Sequence, residues 1–234
     1  PDEFVEFCEM YKDIGLPFWM QTRPETVSDY KIKKLADVGL HRISFGIEHG
    51  NEGFRKKLLE RHWKNKDIIE ALKIPHRHGV QFSLNNITGF PTETRELAMD
   101  TVELNRNIDS DNQNLYSYVP FHGTPLRKLC EDTGLVAPET ITKALTDKPM
   151  LIMPQYPQHE IEGLIKCFTL YVKFPKNRWK EIKKAEADTP EGSKIYEELK
   201  QEYIEKYLPK TNNDLEESSA AADLEYGVEQ TEVC

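Results

Sequence analysis

The segment RISFGIEHGN, residues 42–51, decides the fold. Apolar side chains occupy alternate positions in its first half, which is the period of a strand with one buried face. These side chains belong to Ile43, Phe45 and Ile47. The segment then ends in Glu48, His49 and Gly50. We therefore expect a core strand that carries a carboxylate at the rim of its sheet, where glycine lets the chain turn closely.

Three further segments resemble this strand, and helical patterns lie between them. Strands are expected at about 17–22, 42–47, 81–87 and 114–120. Their centres are about 25 to 39 residues apart, a spacing that fits parallel strands with helical crossovers rather than hairpins. We expect the four strands to be neighbours in this order, joined by right-handed units.

Helices are expected in the intervening segments, at about 2–14, 28–39, 51–61, 66–78, 92–108 and 124–134. Ser28 is a candidate N-cap of the second helix, and Gly39 is placed to end it. Thr92 or Thr94 begins the fifth.

Composition limits the possible functions. The chain has 234 residues, 38% of them apolar, which is enough for one sizeable core with an appendage. Its net charge is -9, but residues 209–234 hold seven acidic side chains against one lysine. The remaining body is nearly neutral, so the sequence gives no evident electrostatic signature of a nucleic-acid partner. No apolar run approaches the roughly 20 residues of a membrane span, and we expect a cytoplasmic protein.

The cysteines and histidines give no metal motif. Cys8, Cys130, Cys167 and Cys234 lack CxxC or CxxxC spacing, and we interpret them as small buried apolar residues plus one thiol in the tail. The seven histidines show no paired spacing that distinguishes them from surface residues. No metal is therefore assigned to them.

The C-terminal part is less informative. Residues 136–208 contain a proline-rich connector and amphipathic segments, and we expect a helical extension there. The clustered apolar positions of its first helix are Ile161, Leu164, Ile165, Phe168 and Leu170. Residues 209–234 are expected to be a disordered acidic tail.

Strand ends are where chemistry is expected. An open doubly wound sheet and a barrel both accept this series of strands, and both place their sites at the carboxyl ends. These ends read MQTRP (20–24), GIEHGN (46–51), NNITGFP (85–91) and PFHGTPL (120–126). Each combines a polar side chain with glycine or proline.

In this order and at these distances, the strand-end motifs resemble the later half of the radical S-adenosylmethionine barrel. The resemblance covers residues 1–135. It is nearest to the branch with an upstream cobalamin-binding domain, which includes anaerobic magnesium-protoporphyrin ester cyclases. The implied fold is α/β, a partial (β/α) barrel of the radical SAM type with a C-terminal helical appendage. The implied cofactors are S-adenosylmethionine, a 4Fe-4S cluster and, in that branch, cobalamin.

The resemblance also implies roles for single residues. Gln21 lies where relatives place a polar group near the cofactor. Glu48 would accept hydrogen bonds from the ribose hydroxyls or the methionine ammonium. Arg61 would pair with the methionine carboxylate. Ordinary alternatives remain open, since Glu48 could cap the helix that begins near Asn51, and Arg61 could be an exposed cation at a helix end.

The third strand end would contact the nucleoside. Asn85 would bind the ribose, and the main chain from Ile87 to Pro91 would bind the adenine edge, with Gly89 allowing the close approach. Alternatively, Asn85 satisfies the backbone of a neighbouring strand, and Gly89, Phe90 and Pro91 form only a turn before the next helix.

The CxxxCxxC loop that holds the cluster in this family is absent from the sequence. We therefore expect the chain to be the C-terminal portion of an enzyme whose cluster loop and further N-terminal domains lie upstream of Pro1, and to be inactive alone. The expected substrate is a small molecule or a tetrapyrrole-like or lipid-like compound. The main alternative is a non-catalytic binding or scaffold module that keeps the cradle. A barrel lyase or aldolase is disfavoured because no lysine stands at a strand end.

Overall fold

The computed structural model describes residues 2–144 and 147–208. The described residues form a sheet of four strands, β1 to β4, in the spatial order β1-β2-β3-β4. They are Phe18–Thr22, Leu40–Glu48, Gln81–Thr88 and Asn112–Ser117. The expected strands and their order are confirmed.

The strands are parallel. In the β1–β2 pair Gln21 lies opposite Ser44, and in the β2–β3 pair Ser44 lies opposite Ser83. Along β3 and β4, the carbonyl of Phe82 accepts from the amide of Asp111, and the carbonyl of Thr88 accepts from Tyr118. Strands β3 and β4 are therefore parallel, as the crossover spacing predicted.

Helices follow each strand, and further helices form the C-terminal part. Within residues 2–144 and 147–208 the structure has ten α-helices, α1 to α10: Asp2–Ile14, Asp29–Ala36, Glu52–Leu59, Asn65–Ala71, Ile74–Arg77, Arg95–Arg106, Pro125–Asp132, Gln158–Lys173, Trp179–Ala185 and Pro190–Lys206. Short 3-10 turns occur at Pro24–Thr26 and Lys176–Arg178. This succession of strand and helix confirms the expected α/β class, a partial (β/α) barrel with helices at the C-terminal end.

The described chain forms two compact units. The first contains residues up to 86 together with 99–114, and the second contains 87–98 together with residues from 115 onward. Strands β3 and β4 and helix α6 each run through both. The division at residue 135 stays a prediction, and the expected disordered tail, 209–234, lies outside the described residues.

One face of the sheet supplies the core of the first unit. Ile43, Phe45 and Ile47 of β2 are buried there, as their alternation predicted. Phe45 meets Phe82 of β3 edge to face, with ring centroids 5.7 Å apart. Burying side chains of this size stabilises the fold by about 1.5–3 kcal/mol each. This apolar face fixes the register, since a slip of one residue would expose it.

Polar caps set the helix boundaries. Ser28 accepts a hydrogen bond from the amide of Lys31, as predicted for an N-cap. Thr94, not Thr92, begins α6, since its hydroxyl accepts from the amide of Leu97. Asn51 caps α3 by accepting from the amide of Phe54.

The second unit contains α7 to α10. The apolar cluster predicted for its long helix forms the buried side of α8, where Ile161, Leu164, Phe168 and Leu170 are buried and Ile165 is half-buried. Cys8, Cys130 and Cys167 are buried free thiols, which confirms their interpretation; Cys234 lies outside the described residues.

Gly50 is where α6 approaches the loop after β2. The amide of Gly50 donates to the Thr101 hydroxyl over 2.9 Å. A Cβ atom on Gly50 would overlap the backbone of Asp100 and Thr101. The glycine therefore serves the close approach of a helix, rather than the turn that the sequence suggested.

The substitution Gly50→Ala should lower the free energy of urea unfolding by about 1–3 kcal/mol, because the backbone of α6 must move. The matched control is Gly53→Ala in the exposed first turn of α3, where the nearest atom is Asn51 Oδ1 at 3.4 Å. That change should be neutral or stabilising by up to about 1 kcal/mol. Equal urea midpoints of unfolding for the two variants would contradict the close approach of α6 to Gly50.

Candidate functional site

The face of the sheet opposite the core is polar. In the first unit, the side chains on this face are exposed or half-buried, apart from Ser44, which is buried. They are Trp19 and Gln21 of β1, Arg42, Ser44 and Glu48 of β2, Ser83 and Asn85 of β3, and Asn112 and Asn114 of β4. An open, hydroxyl- and amide-lined surface of this kind can hydrogen-bond a polar ligand.

Hydrogen bonds join three strands across this face. The Ser44 hydroxyl lies 3.0 Å from that of Ser83 and accepts from the Asn85 amide over 2.9 Å. Asn114 donates to Asn85 Oδ1 over 3.1 Å. The orientation of Asn85 is therefore fixed by side chains of both neighbouring strands. The backbone role considered for Asn85 belongs to Asn86, which is fully buried and donates to the carbonyl of Asn114.

Glu48 and Arg61 form an ion pair at the carboxyl end of β2. Arg61 Nη2 lies 3.0 Å from Glu48 Oε1, and both side chains are less than one-fifth exposed. Arg61 also donates from Nη1 to the carbonyl of Gly46 over 2.9 Å. Two of the alternatives are thus wrong: the helix cap is Asn51 rather than Glu48, and Arg61 is not a freely exposed cation.

The backbone around Glu48 is specialised for this pair. The register of β2 shifts between Gly46 and Glu48, and Glu48 has a φ of 67°, a left-handed value that is uncommon outside glycine. A Cβ on Gly46 would lie 2.5 Å from Glu48 Oε1. The carboxylate therefore occupies space that only glycine leaves free.

Burial controls the protonation of Glu48. Loss of hydration raises the pKa of its carboxyl group above the usual value. The positive charges of Arg61 and Arg23 oppose this rise in pKa without cancelling it. The pKa of Glu48 is thus set by burial, which raises it, against the charge of Arg61, which lowers it.

A buried guanidinium holds the two loops that carry this pair. Arg55 of α3 is 1% exposed. It donates to the carbonyl of His49 over 2.5 Å, to the carbonyl of Trp63 over 2.6 Å and to Asn65 Oδ1 over 2.9 Å. Burial lowers the pKa of Arg55. Because one side chain joins both loops, it restricts how far Glu48 and Arg61 can separate.

His49 is an internal part of the same loop. It is fully buried, its Nδ1 accepts from the amide of Asn51 over 3.0 Å, and its ring lies against Phe54 with centroids 4.4 Å apart. Interpreting His49 as a surface histidine was therefore wrong. In this bond Nδ1 acts as the acceptor.

Gly89 and Pro91 belong to the second unit, and both are buried. The carboxylate of Glu93 accepts from the amides of Gly89, over 2.5 Å, and Phe90, over 2.9 Å. Gly89 has a φ of 81°. The segment is therefore a turn that a buried carboxylate closes, and the amide of Gly89 is already engaged.

The structure brings the candidate residues together only in part. Glu48 and Arg61 are in contact, and Asn85 lies on the same polar face as the exposed Gln21. Convergence of these four residues with Gly89 and Pro91 stays a prediction.

Sequence reasoning missed Arg55, Glu93 and Ser44. The role of Glu93 could have been predicted, because a carboxylate placed a few residues after Gly-Phe-Pro can accept hydrogen bonds from the amides of that turn. The role of Arg55 could not have been predicted. It lies in the cationic helix EGFRKKLL, and two of its three acceptors are main-chain carbonyls.

The described cysteines do not fit an iron-sulfur cluster. Cys8, Cys130 and Cys167 are buried, and burial raises the pKa of each thiol, to about 12 for Cys167. In the described residues, no three His, Cys, Asp or Glu side chains are grouped so that they could hold a metal ion. A cluster needs accessible thiolates that converge, so these thiols cannot provide its ligands.

Residues 1–104 match the family described as the radical SAM superfamily. The chain is 32% identical over 126 residues to tRNA-2-methylthio-N(6)-dimethylallyladenosine synthase of Halalkalibacterium halodurans, covering 53% of this chain and 23% of that protein. It is 26% identical over 173 residues to an uncharacterized methyltransferase of Pyrococcus horikoshii, covering 72% of this chain and 37% of the relative. The chain thus spans less than half the length of these curated relatives.

Solved structures with a similar chain path include coproporphyrinogen III oxidase of Escherichia coli, described as a radical SAM enzyme. Its TM-score is 0.48 at 17% identity, covering 66% of this chain and 32% of that one. Elp3 of Methanocaldococcus infernus has a TM-score of 0.47 at 18% identity, covering 82% and 42%. Within the described residues, every helix is too short or too polar to traverse a bilayer.

Replacing Arg61 with methionine should raise the pKa of Glu48 further, because the charge and hydrogen bond of Arg61 both lower it. Carboxyl-carbon NMR titration of Glu48 measures this directly. The control Lys64→Met removes an exposed charge from the same loop and should leave the titration unchanged. An identical Glu48 titration in all three proteins would contradict the ion pair.

The same raised pKa has a consequence for stability. A group whose pKa is higher in the folded state contributes stability that is fully present below the unfolded pKa and is lost as pH rises through the folded value. Unfolding measured against pH should therefore show that wild type loses stability relative to Glu48→Gln as Glu48 ionises. A difference that stays constant with pH would exclude this role of Glu48.

Proposed function

Because residues 1–104 match the radical SAM family, we propose that this chain supplies the S-adenosylmethionine-binding later strands of a radical SAM enzyme. The chain would act as the C-terminal portion of a longer, cytoplasmic protein, with the cluster loop upstream. Residues 1–135 would form the barrel portion and 136–208 the helical extension.

The observation that carries the proposal is the ion pair of Glu48 and Arg61 at the edge of an open polar face. S-adenosylmethionine ends in an amino acid, which bears an ammonium and a carboxylate. A carboxylate and a guanidinium side by side are complementary to that zwitterion, and a guanidinium can bind a carboxylate through two donors. The donor set at the end of β2 therefore fits this end of the cofactor.

The nucleoside would lie along the polar face. Asn85 would contact the ribose, because the bonds to Ser44 and Asn114 hold its amide in one orientation. Gln21 would supply a further amide at the exposed end of β1. Such pre-oriented groups lower the entropy lost on binding.

Gly89 and Pro91 are proposed to contact adenine through the main chain. Because Glu93 occupies the amides of Gly89 and Phe90, this contact would use carbonyl oxygens, which can accept from the adenine amino group. Glu93 would then hold the turn in shape rather than touch the ligand.

When bound to a reduced 4Fe-4S cluster, S-adenosylmethionine supplies one-electron chemistry that removes a hydrogen atom from a substrate. The residues of this chain would bind and orient the cofactor, and they supply no thiolate to the cluster. The resemblance to the branch with an upstream cobalamin domain supports cobalamin as a further cofactor. Substrates would be small molecules or tetrapyrrole-like or lipid-like compounds, and missing N-terminal domains would be the partners.

A second candidate is a binding module without catalysis. The pair of Glu48 and Arg61 on the polar face supports it as well, because such a cradle could bind S-adenosylmethionine without a cluster. An in-frame CxxxCxxC in the DNA upstream of Pro1 would support the enzyme, and a start codon at this position would support the module.

The variants Glu48→Gln and Arg61→Met should each weaken S-adenosylmethionine binding by about tenfold or more, the effect of losing one charge-assisted contact. Ligand-observed NMR at increasing protein concentration measures this. The control Lys64→Gln changes a nearby exposed charge and should bind as wild type does. Unchanged binding in Glu48→Gln and Arg61→Met would reject the assigned site.

The purified chain, reconstituted anaerobically with iron and sulfide, should bind no stoichiometric 4Fe-4S cluster, because its described thiols are buried and no three metal-ligating side chains are grouped in the described residues. With dithionite and S-adenosylmethionine it should form no 5'-deoxyadenosine. Iron analysis and chromatography of the products measure both. Formation of 5'-deoxyadenosine would mean that the cluster ligands have been misassigned.

A further inference from the structure

Helix α9 and the 3-10 turn before it present a row of lysines to solvent. At about 100° per residue, these positions share roughly one-third of the helix circumference. The lysine row comprises Lys176, Lys180, Lys183 and Lys184, all exposed. Ile182 and Ala185 are buried on the other side. The row is therefore a continuous cationic surface of the second unit.

This surface is unusual in an acidic chain. Residues 173–184 contain six basic side chains and one acidic one, whereas the whole chain carries a charge of -9. Lys183 is 2.8 Å from Glu186 and 3.7 Å from Glu160. Lys180 and Lys184 make no ion pair with any residue that the structure describes. Two charges of the row thus remain available for a partner.

The chemistry of the row favours an acidic peptide segment over a membrane. A helix that lies on a membrane needs apolar side chains on the side that faces the lipid. Here the apolar side chains of α9 are directed into the second unit, and the solvent side carries lysines. A carboxylate-rich segment would be attracted by charge alone.

Such a segment follows α10 in the same chain. Residues 209–234 contain seven carboxylates and one lysine. The first acidic cluster is the stretch Asp-Leu-Glu-Glu at 214–217. The carboxylates of this cluster are thus close in sequence to the last described residue, Leu208.

The end of α10 lies beside the start of the lysine row. Tyr207 packs on Phe174 with ring centroids 5.0 Å apart, and Glu202 pairs with Arg178 over 3.1 Å. The six residues that follow Leu208, up to Asp214, can span up to about 20 Å. The row is only about 12 Å long, from the helical rise over the eight steps between Lys176 and Lys184. The acidic cluster can therefore reach every lysine of the row.

We propose that the acidic segment 214–217 docks on the lysine row of α9. A short tether gives an effective concentration in the millimolar range, which offsets the weakness of single exposed ion pairs. Docking would neutralise Lys180 and Lys184 and join α9 to the end of α10. A polyanionic partner would have to displace this segment before it could use the row.

A spin label next to the acidic cluster tests the proposal. The full chain with Ser219→Cys and Cys234→Ser carries a nitroxide at position 219. At 0.1 M salt, the amide signals of Lys180 and Lys184 should be broadened more than those of Lys56 and Lys57 in α3. At 1 M salt, where the screening length falls from about 10 to about 3 Å, this broadening should disappear.

Charge variants separate docking from random collision. Lys180→Glu with Lys184→Glu should abolish the broadening of the α9 amides, whereas the control Lys56→Glu with Lys57→Glu makes the same change in net charge and should leave it intact. Replacing Asp214, Glu216 and Glu217 with amides should also abolish the broadening. Broadening that survives either the α9 or the acidic-segment change would overturn the proposal.

Other occupants give a different result. If the α9 amides are not broadened but shift on addition of a 20-nucleotide oligouridylate, the row is a nucleic-acid surface and the proposal is wrong. If they respond only to phosphatidylserine vesicles, the row is a membrane surface and the proposal is equally wrong.

Discussion

The buried guanidinium of Arg55 is the interaction on which the candidate site depends. It bonds to two carbonyl groups and one amide oxygen, and no carboxylate of the described chain contacts it. A buried cation without an anionic partner is costly, so these acceptors must be held in place by the fold. The Arg55 side chain thereby joins the loop at His49 to the loop at Trp63 to Asn65. Arg61 lies between these two segments.

This constraint makes the arrangement of Glu48 unusual but stable. The carboxylate lies over Gly46, its backbone is left-handed, and burial opposes its charge. Each feature is unfavourable alone, and such features persist where the surroundings determine the geometry. The surroundings are Arg61 on one side and, through Gly50, the close approach of α6 on the other. The strain is consistent with a binding role, because an ordinary strand end would not require it.

The sequence predicted the fold well because burial on one face of a strand leaves a period of two. The burial of Phe45 and its neighbours could be predicted for this reason. The N-cap role of Ser28 could be predicted because capping depends only on residues nearby in sequence. Asn85 and Asn86 show the limit, since the two identical residues face opposite sides of the sheet and differ in function. Arg55 was unreadable because its acceptors come from residues that only folding brings together. The pairing of Glu48 with Arg61 was expected only as a shared cofactor site.

We propose that the end of β2 and the loop of Arg61 form the S-adenosylmethionine cradle. Backbone chemical-shift mapping of the chain with S-adenosylmethionine tests it most directly. We expect chemical-shift changes concentrated at residues 44–48, at Arg61 and at Asn85, all saturating with one affinity. Shifts that leave these residues unchanged and gather elsewhere, for example at residues 148–162 of the second unit, would contradict it.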